Sequence, residues 1–125
     1  MRLASWCLVA GLLLTNSSCL HRFGGARPDE RPVELFVVNH YIMPVEVYAS
    51  GSGTSYRMGI VLPGLESRFV LRQALIVSGR TVEFHAYPAD GARAVRSGDL
   101  LLVPGDIVDF EIATHLLNST AVIRP

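Results

Sequence analysis

The chain has 125 residues, of which 50% are hydrophobic and 18% charged, so it can form one domain with an apolar core and lacks the composition of a disordered chain. All eleven of its basic residues are arginine, which excludes a Walker-type phosphate loop, a Schiff-base lysine and a Ser-Lys dyad. Eleven acidic residues balance them, so there is no basic field for nucleic acid, and no nucleic-acid partner is expected.

The N-terminal residues have the organisation of a secretory signal. Arg2 is followed by an apolar or small stretch at 3–14 and by a polar run at 15–18. These correspond to the n-region, the h-region and the cleavage zone of a signal peptide. The apolar stretch counts twelve residues, whereas a helix that spans a membrane needs about 20. We therefore expect residues 1–18 to be a cleaved leader and the mature protein to be exported.

Cys19 lies directly after the polar run, where a lipoprotein signal places the cysteine that becomes the diacylated first residue. The match to a lipobox is partial, because Asn16 stands where such signals usually carry leucine. Cys7 would be lost with the leader, so Cys19 would be the only cysteine left and no intrachain disulfide could form. We expect a lipid on Cys19 to anchor the protein to a membrane of the cell envelope. The alternative is ordinary cleavage nearby, which would give a periplasmic or secreted protein.

A tether and then a folded domain follow the leader. Residues 19–32 are rich in glycine, proline and charge and show no periodicity, which predicts a flexible spacer. Residues 33–125 carry short apolar runs of β-branched and aromatic residues between turn residues, which is typical of strands. In chain order, strands are predicted at 33–39, 45–49, 56–62, 67–71, 81–87, 100–103, 107–113 and 121–123.

Individual strands differ in the clarity of their pattern. In the third, Tyr56, Met58 and Ile60 are predicted to share a face. Residues 65–76 also have a rough helical spacing, and we favour a strand that runs into an irregular turn. The fifth and seventh strands alternate most clearly, which predicts one buried and one solvent face for each. Their predicted buried residues are Val82, Phe84, Ala86, Val108, Phe110 and Ile112.

About seven to eight strands, with no convincing helix of three turns, predict an all-β fold. We expect a single antiparallel two-sheet sandwich, with an open barrel as the alternative. The segments VVNH at 37–40, FVL at 69–71, VEFHAYP at 82–88 and LLVPGDIVDF at 101–110 span most of this domain. In these segments the chain resembles small exported bacterial β-sandwich proteins and lipoproteins of uncharacterised function. The resemblance implies an immunoglobulin- or transthyretin-like sandwich and brings no known active site with it.

The solvent faces of the predicted strands hold the best candidates for a ligand- or ion-binding face. Histidine beside carboxylates can bind a cation or transfer protons, and exposed tyrosines can stack on sugar rings or anchor a partner. Asp109 and Glu111 lie near Glu83 and His85 only if the strands at 81–87 and 107–113 are neighbours. A solvated face of alternating charge would give the same pattern. The candidates are Tyr48, Glu83, His85, Tyr87, Asp109 and Glu111.

Motifs for catalysis and for metal binding are missing from the sequence. It has no Gly-x-Ser-x-Gly elbow, no glycine-rich loop that opens a helix and no histidine at a metal-ligand spacing, so we expect no enzyme, no metal and no cofactor. The expectation is a non-catalytic envelope lipoprotein that acts as an interaction module. Its partners would be a membrane, through the lipid on Cys19, and an envelope protein or a surface polymer such as a glycan. Alternatives are a carbohydrate- or metal-ion-binding domain and, third, a small hydrolase built on His85 or His115.

Overall fold

The computed structural model describes residues 31–77 and 79–125, so the predicted leader, Cys19 and most of the predicted tether lie outside the described residues. In the described part, nine strands and two 3₁₀ turns follow one another. No helix there has the length and hydropathy that crossing a membrane requires. The strands are β1 Glu34–Asn39, β2 Val45–Gly51, β3 Thr54–Val61, β4 Glu66–Val70, β5 Thr81–Pro88, β6 Val95–Arg96, β7 Leu100–Leu101, β8 Ile107–Ile112 and β9 Thr120–Ile123, with 3₁₀ turns at Gln73–Leu75 and Leu116–Asn118.

The strands form two sheets, which confirms the predicted all-β sandwich, with nine described strands in place of seven to eight. The first sheet has the order β4-β1-β8-β9, and the second has the order β3-β2-β5-β6, with β7 paired to the start of β5. All pairs are antiparallel except β1 and β8, which run parallel. A parallel pair needs a long connection between its strands, and here the second sheet lies within that connection.

Alternating residues from both sheets form one core. Every buried residue predicted for β5 and β8 is confirmed as buried. The rings of Phe84 and Phe110 meet across the two sheets, with centroids 6.4 Å apart. Fully burying a side chain of this size contributes about 1.5–3 kcal/mol, so the alternation itself is the main source of stability.

The predicted face of β3 is correct at its start and wrong at its end. Tyr56 packs against the core, but Ile60 is 52% exposed and Val61 is fully buried. The pairing with β2 shifts by one residue after Val47, and Met58 is the extra residue of a β-bulge. A bulge moves the following residues to the opposite face, because side chains in a strand alternate with a period of two.

Two other segments depart from the prediction. The strand expected at 100–103 is shorter and less buried, since β7 holds only two residues and Leu101 is 57% exposed. The two-residue strand β6 was not predicted at all, because so short a segment carries no periodic pattern. The ambiguous stretch at 65–76 forms β4 and then a 3₁₀ turn, as the favoured interpretation expected.

A buried asparagine joins the loops at one end of the sandwich. Asn39 closes β1 and is fully buried. Its side-chain amide donates to the carbonyl oxygens of Met43, at 2.9 Å, and Val61, at 3.0 Å, while its Oδ1 accepts from the N–H of Tyr41 at 2.9 Å. Its backbone is also hydrogen-bonded to the turn between β3 and β4. Sequence reasoning placed Asn39 only at a strand end and missed this role.

Candidate functional site

The structure divides the predicted ligand face between the two sheets. Glu83 and His85 lie on β5, whose neighbours are β2, β6 and β7. Asp109 and Glu111 lie on β8, whose neighbours are β1 and β9. The strands at 81–87 and 107–113 are therefore not neighbours, and the expected joint cluster does not form. Alternation predicts which residues face solvent, but it does not predict which sheet a strand joins.

On the outer face of the first sheet, Asp109 is held by an arginine. Arg124 donates from Nε at 3.0 Å and from Nη2 at 2.6 Å to the two carboxylate oxygens of Asp109. These hydrogen bonds hold the pKa of Asp109 below its ordinary value. The same guanidinium lies 5.0 Å from the ring centroid of Phe36. Glu111 is more exposed and lies 3.8 Å from Nε2 of His40. Asp109 therefore has a structural partner within its own sheet.

The other four predicted residues come together on the second sheet. The register of β2 and β5 places Tyr48 opposite His85 in a central row. Glu46 lies opposite Tyr87 in the row on one side of it, and Ser50 lies opposite Glu83 in the row on the other side. All of these side chains point away from the core, because Val47 and Phe84 between them point into it. We call this surface the tyrosine face and define it by Glu46, Tyr48, Glu83, His85 and Tyr87.

The aromatic side chains of the tyrosine face contact one another in defined geometries. The rings of Tyr48 and Tyr87 meet edge to face, with centroids 5.4 Å apart and an interplanar angle of 89°. The imidazole of His85 lies nearly parallel to the Tyr87 ring, with centroids 6.2 Å apart. Tyr87 is nevertheless 47% exposed, whereas the His85 side chain is only 12% exposed. Tyr87 is thus a solvent-facing ring whose position is set by two neighbours.

A carboxylate, a phenol and a guanidinium form one side of the tyrosine face. Oε1 of Glu46 accepts hydrogen bonds from the hydroxyl of Tyr48, at 2.8 Å, and from Nε of Arg57. Mainly through the bond from Arg57, the pKa of Glu46 is held below its ordinary value, and the bond to Glu46 raises the pKa of Tyr48. The Tyr48 side chain therefore contacts Tyr87 through its ring and Glu46 through its hydroxyl.

The other side of the tyrosine face is organised around Glu83. Its Oε1 lies 2.9 Å from Nε2 of His85 and 2.9 Å from Nη2 of Arg96. Arg96 comes from β6, directly opposite His85 in the register. Sequence reasoning found Glu83 and His85 but missed Arg57 and Arg96, because each arginine reaches the face only through a strand pairing that the sequence pattern does not reveal.

A depression of about 150 Å³, lined by Glu46, Ile60 and Tyr87 among others, adjoins one end of this face, and two larger open depressions lie along it. One, of about 340 Å³, is lined by Glu46, Tyr48, Ser55 and Tyr87. The other, of about 400 Å³, is lined by Glu83, His85, Arg96, Asp99 and by serine, threonine and glycine residues around the β2–β3 turn. Ser55 lines both, so the two depressions adjoin. A further depression of about 250 Å³ beside the second 3₁₀ turn contains none of the predicted site residues.

The carboxylates of the tyrosine face are engaged with cationic or hydroxyl groups and do not converge on one point. Within the described residues, no group of three histidine, cysteine, aspartate or glutamate side chains is placed to hold a metal ion. Glu83 and Glu46 are each neutralised by an arginine. The arrangement offers hydrogen bonding and aromatic contact to a ligand.

Comparisons with known proteins bear on the fold. No protein-family model matches the chain, and no curated protein matches it at a significant level. A solved structure described as the NMR structure of the protein from Eubacterium rectale superposes with a TM-score of 0.50, covering 79% of this chain and 94% of that chain at 12% sequence identity. At that identity the likeness shows a shared fold alone.

Proposed function

We propose that this protein is a non-catalytic, lipid-anchored module of the cell envelope, and that the tyrosine face is its recognition surface. The anchoring half of the proposal is supported by the signal-like residues 1–18 and by Cys19 directly after them. The recognition half is supported by the way in which the sandwich arranges its outward side chains.

The main support for a recognition surface is the exposure and the fixed position of the Tyr87 ring. Its ring is 47% exposed, yet it contacts both Tyr48 and His85, which lie in the adjacent row. A large ring that is already ordered loses little conformational entropy when a ligand covers it, and tyrosine is enriched among the residues that dominate binding energies. An exposed ring positioned in this way therefore supports a ligand-binding surface.

The local geometry favours binding over hydrolysis. A serine hydrolase needs a nucleophile within hydrogen-bond reach of its base. Here Ser50 Oγ is hydrogen-bonded to Ser55 Oγ at 3.0 Å, and Nε2 of His85 faces the Glu83 carboxylate. The parts of a Ser-His pair are thus engaged with other groups, and hydrolysis is not proposed.

Mass spectrometry tests the anchoring. The full chain is produced in a bacterial host that processes lipoproteins, and the membrane fraction is analysed by intact mass. The expected species begins at Cys19 and carries the added mass of a diacylglyceryl group. The matched control is Cys19→Ser, which should lose both the added mass and the membrane fractionation. A water-soluble wild-type chain cleaved near residue 18 without lipid would contradict this half of the proposal.

Photocrosslinking in intact cells tests the recognition surface. A photoreactive phenylalanine analogue is placed at Tyr87 in one variant and, as a matched control, at Val122, which is 57% exposed on the outer face of the first sheet. We expect adducts of higher mass several-fold more abundant from position 87 than from position 122. Equal yields from the two positions, or none from position 87, would overturn the tyrosine face as the recognition surface.

A further inference from the structure

We infer that the ligand of the tyrosine face is a neutral carbohydrate, an inference that rests on the proposed function and narrows it to one chemical class. Three properties of the face favour such a ligand: an exposed aromatic ring, fixed hydrogen-bonding groups beside it, and an almost complete cancellation of charge.

The first property is the ring of Tyr87. A sugar ring has one side lined by C–H bonds, and such a side packs against the face of an aromatic ring. Tyr87 exposes its ring beside the 340 Å³ depression, and Tyr48 forms a second wall of that depression, at 89° to it. The adjoining 400 Å³ depression extends the site past His85, so the binding surface is longer than the Tyr87 ring alone.

The second property is the supply of fixed hydrogen-bonding groups. Sugar hydroxyls both donate and accept hydrogen bonds. A carboxylate, which accepts, beside a guanidinium, which donates, therefore matches them. Arg57 uses Nε to bind Glu46, and Arg96 uses Nη2 to bind Glu83, which leaves further N–H groups of each guanidinium directed elsewhere. The two arginine side chains are 54% and 65% exposed, so these groups can reach a ligand.

The third property is the balance of charge. Arg57 pairs with Glu46 and Arg96 pairs with Glu83, so the two arginines cancel the two glutamates. Asp99 at the rim of the larger depression leaves a single negative charge. A polyanion would meet no positive field there, and a polycation would find one carboxylate in excess. A ligand without net charge fits this balance.

The same features argue against a protein as the ligand. The centre of a protein interface is usually apolar and fully desolvated. The centre of the tyrosine face holds Glu46, Glu83 and His85, and its exposed large apolar side chains are Tyr87 and, at the β3 edge, Ile60. Covering these paired charges with a dry surface would cost more than leaving them in contact with hydroxyl groups.

A glycan array tests the inference with the full chain. The lipidated protein is kept in a non-glycosidic detergent, because a sugar-based detergent would compete for the site. The array carries three arms: neutral glycans, glycans with uronic acid or sulfate groups, and glycans with free amines. We expect binding in the neutral arm. Tyr87→Ala should weaken it by about tenfold or more, which is about 1.4 kcal/mol of binding free energy.

Three further variants separate ring loss from unfolding. Tyr87→Phe keeps the ring and should bind within about threefold of wild type, a difference below 1.4 kcal/mol. Val122→Ala, on the other sheet, should bind as wild type does. Circular dichroism and the urea midpoint of Tyr87→Ala should show an intact fold. If Tyr87→Ala is unfolded, Arg96→Ala replaces it, and the same weakening is expected.

Any of three results would overturn the inference: no binding in the neutral arm, equal binding by wild type and Tyr87→Ala, or tighter binding in either charged arm. If position 87 gives crosslinked adducts in cells but no neutral glycan binds, the carbohydrate inference is refuted and the tyrosine face remains the recognition surface. An empty neutral arm without those adducts would refute both.

Discussion

Tyr41 donates its hydroxyl hydrogen to Oδ2 of Asp90 over 2.6 Å, and so joins the loop after β1 to the turn after β5. Oδ1 of the same carboxylate accepts the N–H of Ala92 at 3.0 Å. The hydrogen bond to Tyr41, followed by that from Ala92, holds the pKa of Asp90 below 3.8, and the bond to Asp90 raises the pKa of Tyr41 above 10.0.

This pair predicts a pH dependence at both extremes. Because the pKa of Asp90 is depressed by folding, its contribution is present above the unfolded pKa and is lost as the pH falls below 3.8. Because the pKa of Tyr41 is raised, its contribution is lost as the pH rises above 10.0. The stability difference between wild type and Tyr41→Phe, measured by urea unfolding, should therefore be largest near neutral pH and shrink towards both extremes.

Carboxyl titration by NMR provides the site-specific control. In Tyr41→Phe the Asp90 midpoint should move up towards its ordinary value, while that of Asp109, which is held by Arg124, should stay where it is. An unchanged Asp90 midpoint would show that Tyr41 does not set it.

Replacing the buried asparagine should destabilise the domain. Asn39→Leu would leave the carbonyls of Met43 and Val61 and the N–H of Tyr41 without their partner. Orphaning buried polar groups costs about 1–3 kcal/mol each, so we expect a loss of at least about 2 kcal/mol in the free energy of unfolding. The exposed Asn118→Ala is the matched control and should change it by less than about 0.5 kcal/mol. Equal effects would contradict the role assigned to Asn39.

The contact between the sheets predicts an energetic coupling. Phe84→Leu and Phe110→Leu should each lower the free energy of unfolding by about 1–3 kcal/mol. Because the two rings meet at 6.4 Å, the double variant should lose less than the sum of the singles, by about 0.5–1.5 kcal/mol. Strict additivity in the urea-unfolding cycle would mean that the rings stabilise the core independently.

Next to the bulge in β3, Gly59 combines a positive φ of +158° with little room for a side chain. A Cβ atom at Gly59 would stand 2.9 Å from Cε1 of Phe69 on β4, which belongs to the opposite sheet. Gly59→Ala should therefore destabilise the domain by about 1–3 kcal/mol, the usual cost of overpacking. In a Phe69→Leu background, where that ring atom is gone, the same substitution should cost less. A cost unaffected by residue 69 would assign the effect to the backbone instead.

Metal removal should leave the stability unchanged. The carboxylates of Glu83 and Asp109 are already paired with arginines, and the described residues contain no group of three potential metal ligands placed together. Neither EDTA nor added Ca²⁺ or Zn²⁺ should shift the thermal midpoint by more than about 1 °C, since a ligand raises it only by binding the folded state. A clear drop with EDTA would establish a metal site and contradict the pairing argument.

Here the sequence pattern predicts the local structure of each strand far better than it predicts which strands pair with one another. The alternation at β5 and β8 predicted which side chains are buried, because strand geometry decides that within a few residues. Tyr48 and Tyr87 were expected to face solvent, and Tyr87 is exposed and Tyr48 half-buried.

Most of what the pattern missed depends on pairing across the chain. The contact between Tyr48 and Tyr87 requires β2 beside β5, and the separation of Glu83 from Asp109 requires β5 and β8 in different sheets. The two strand pairings follow from the packing of distant segments, so a single stretch of sequence does not contain them. The bulge at Met58, which changes the face of Ile60, did have a local signal in the isolated Gly59 beside it, and the expected alternation overlooked that signal.

The parallel pairing of β1 and β8 has a consequence for the order in which the chain can fold as it is synthesised or translocated. The opening strand, Glu34–Asn39, finds its parallel neighbour only at Ile107–Ile112, and β9 completes that layer later still. A polypeptide that emerges N-terminus first, whether from a ribosome or from a translocation pore, must therefore release residues 107–123 before that layer can close. The strands of the second sheet all precede β8, so that sheet can pair earlier, and the two sheets can enclose a complete core only after Ile107–Ile112 has emerged.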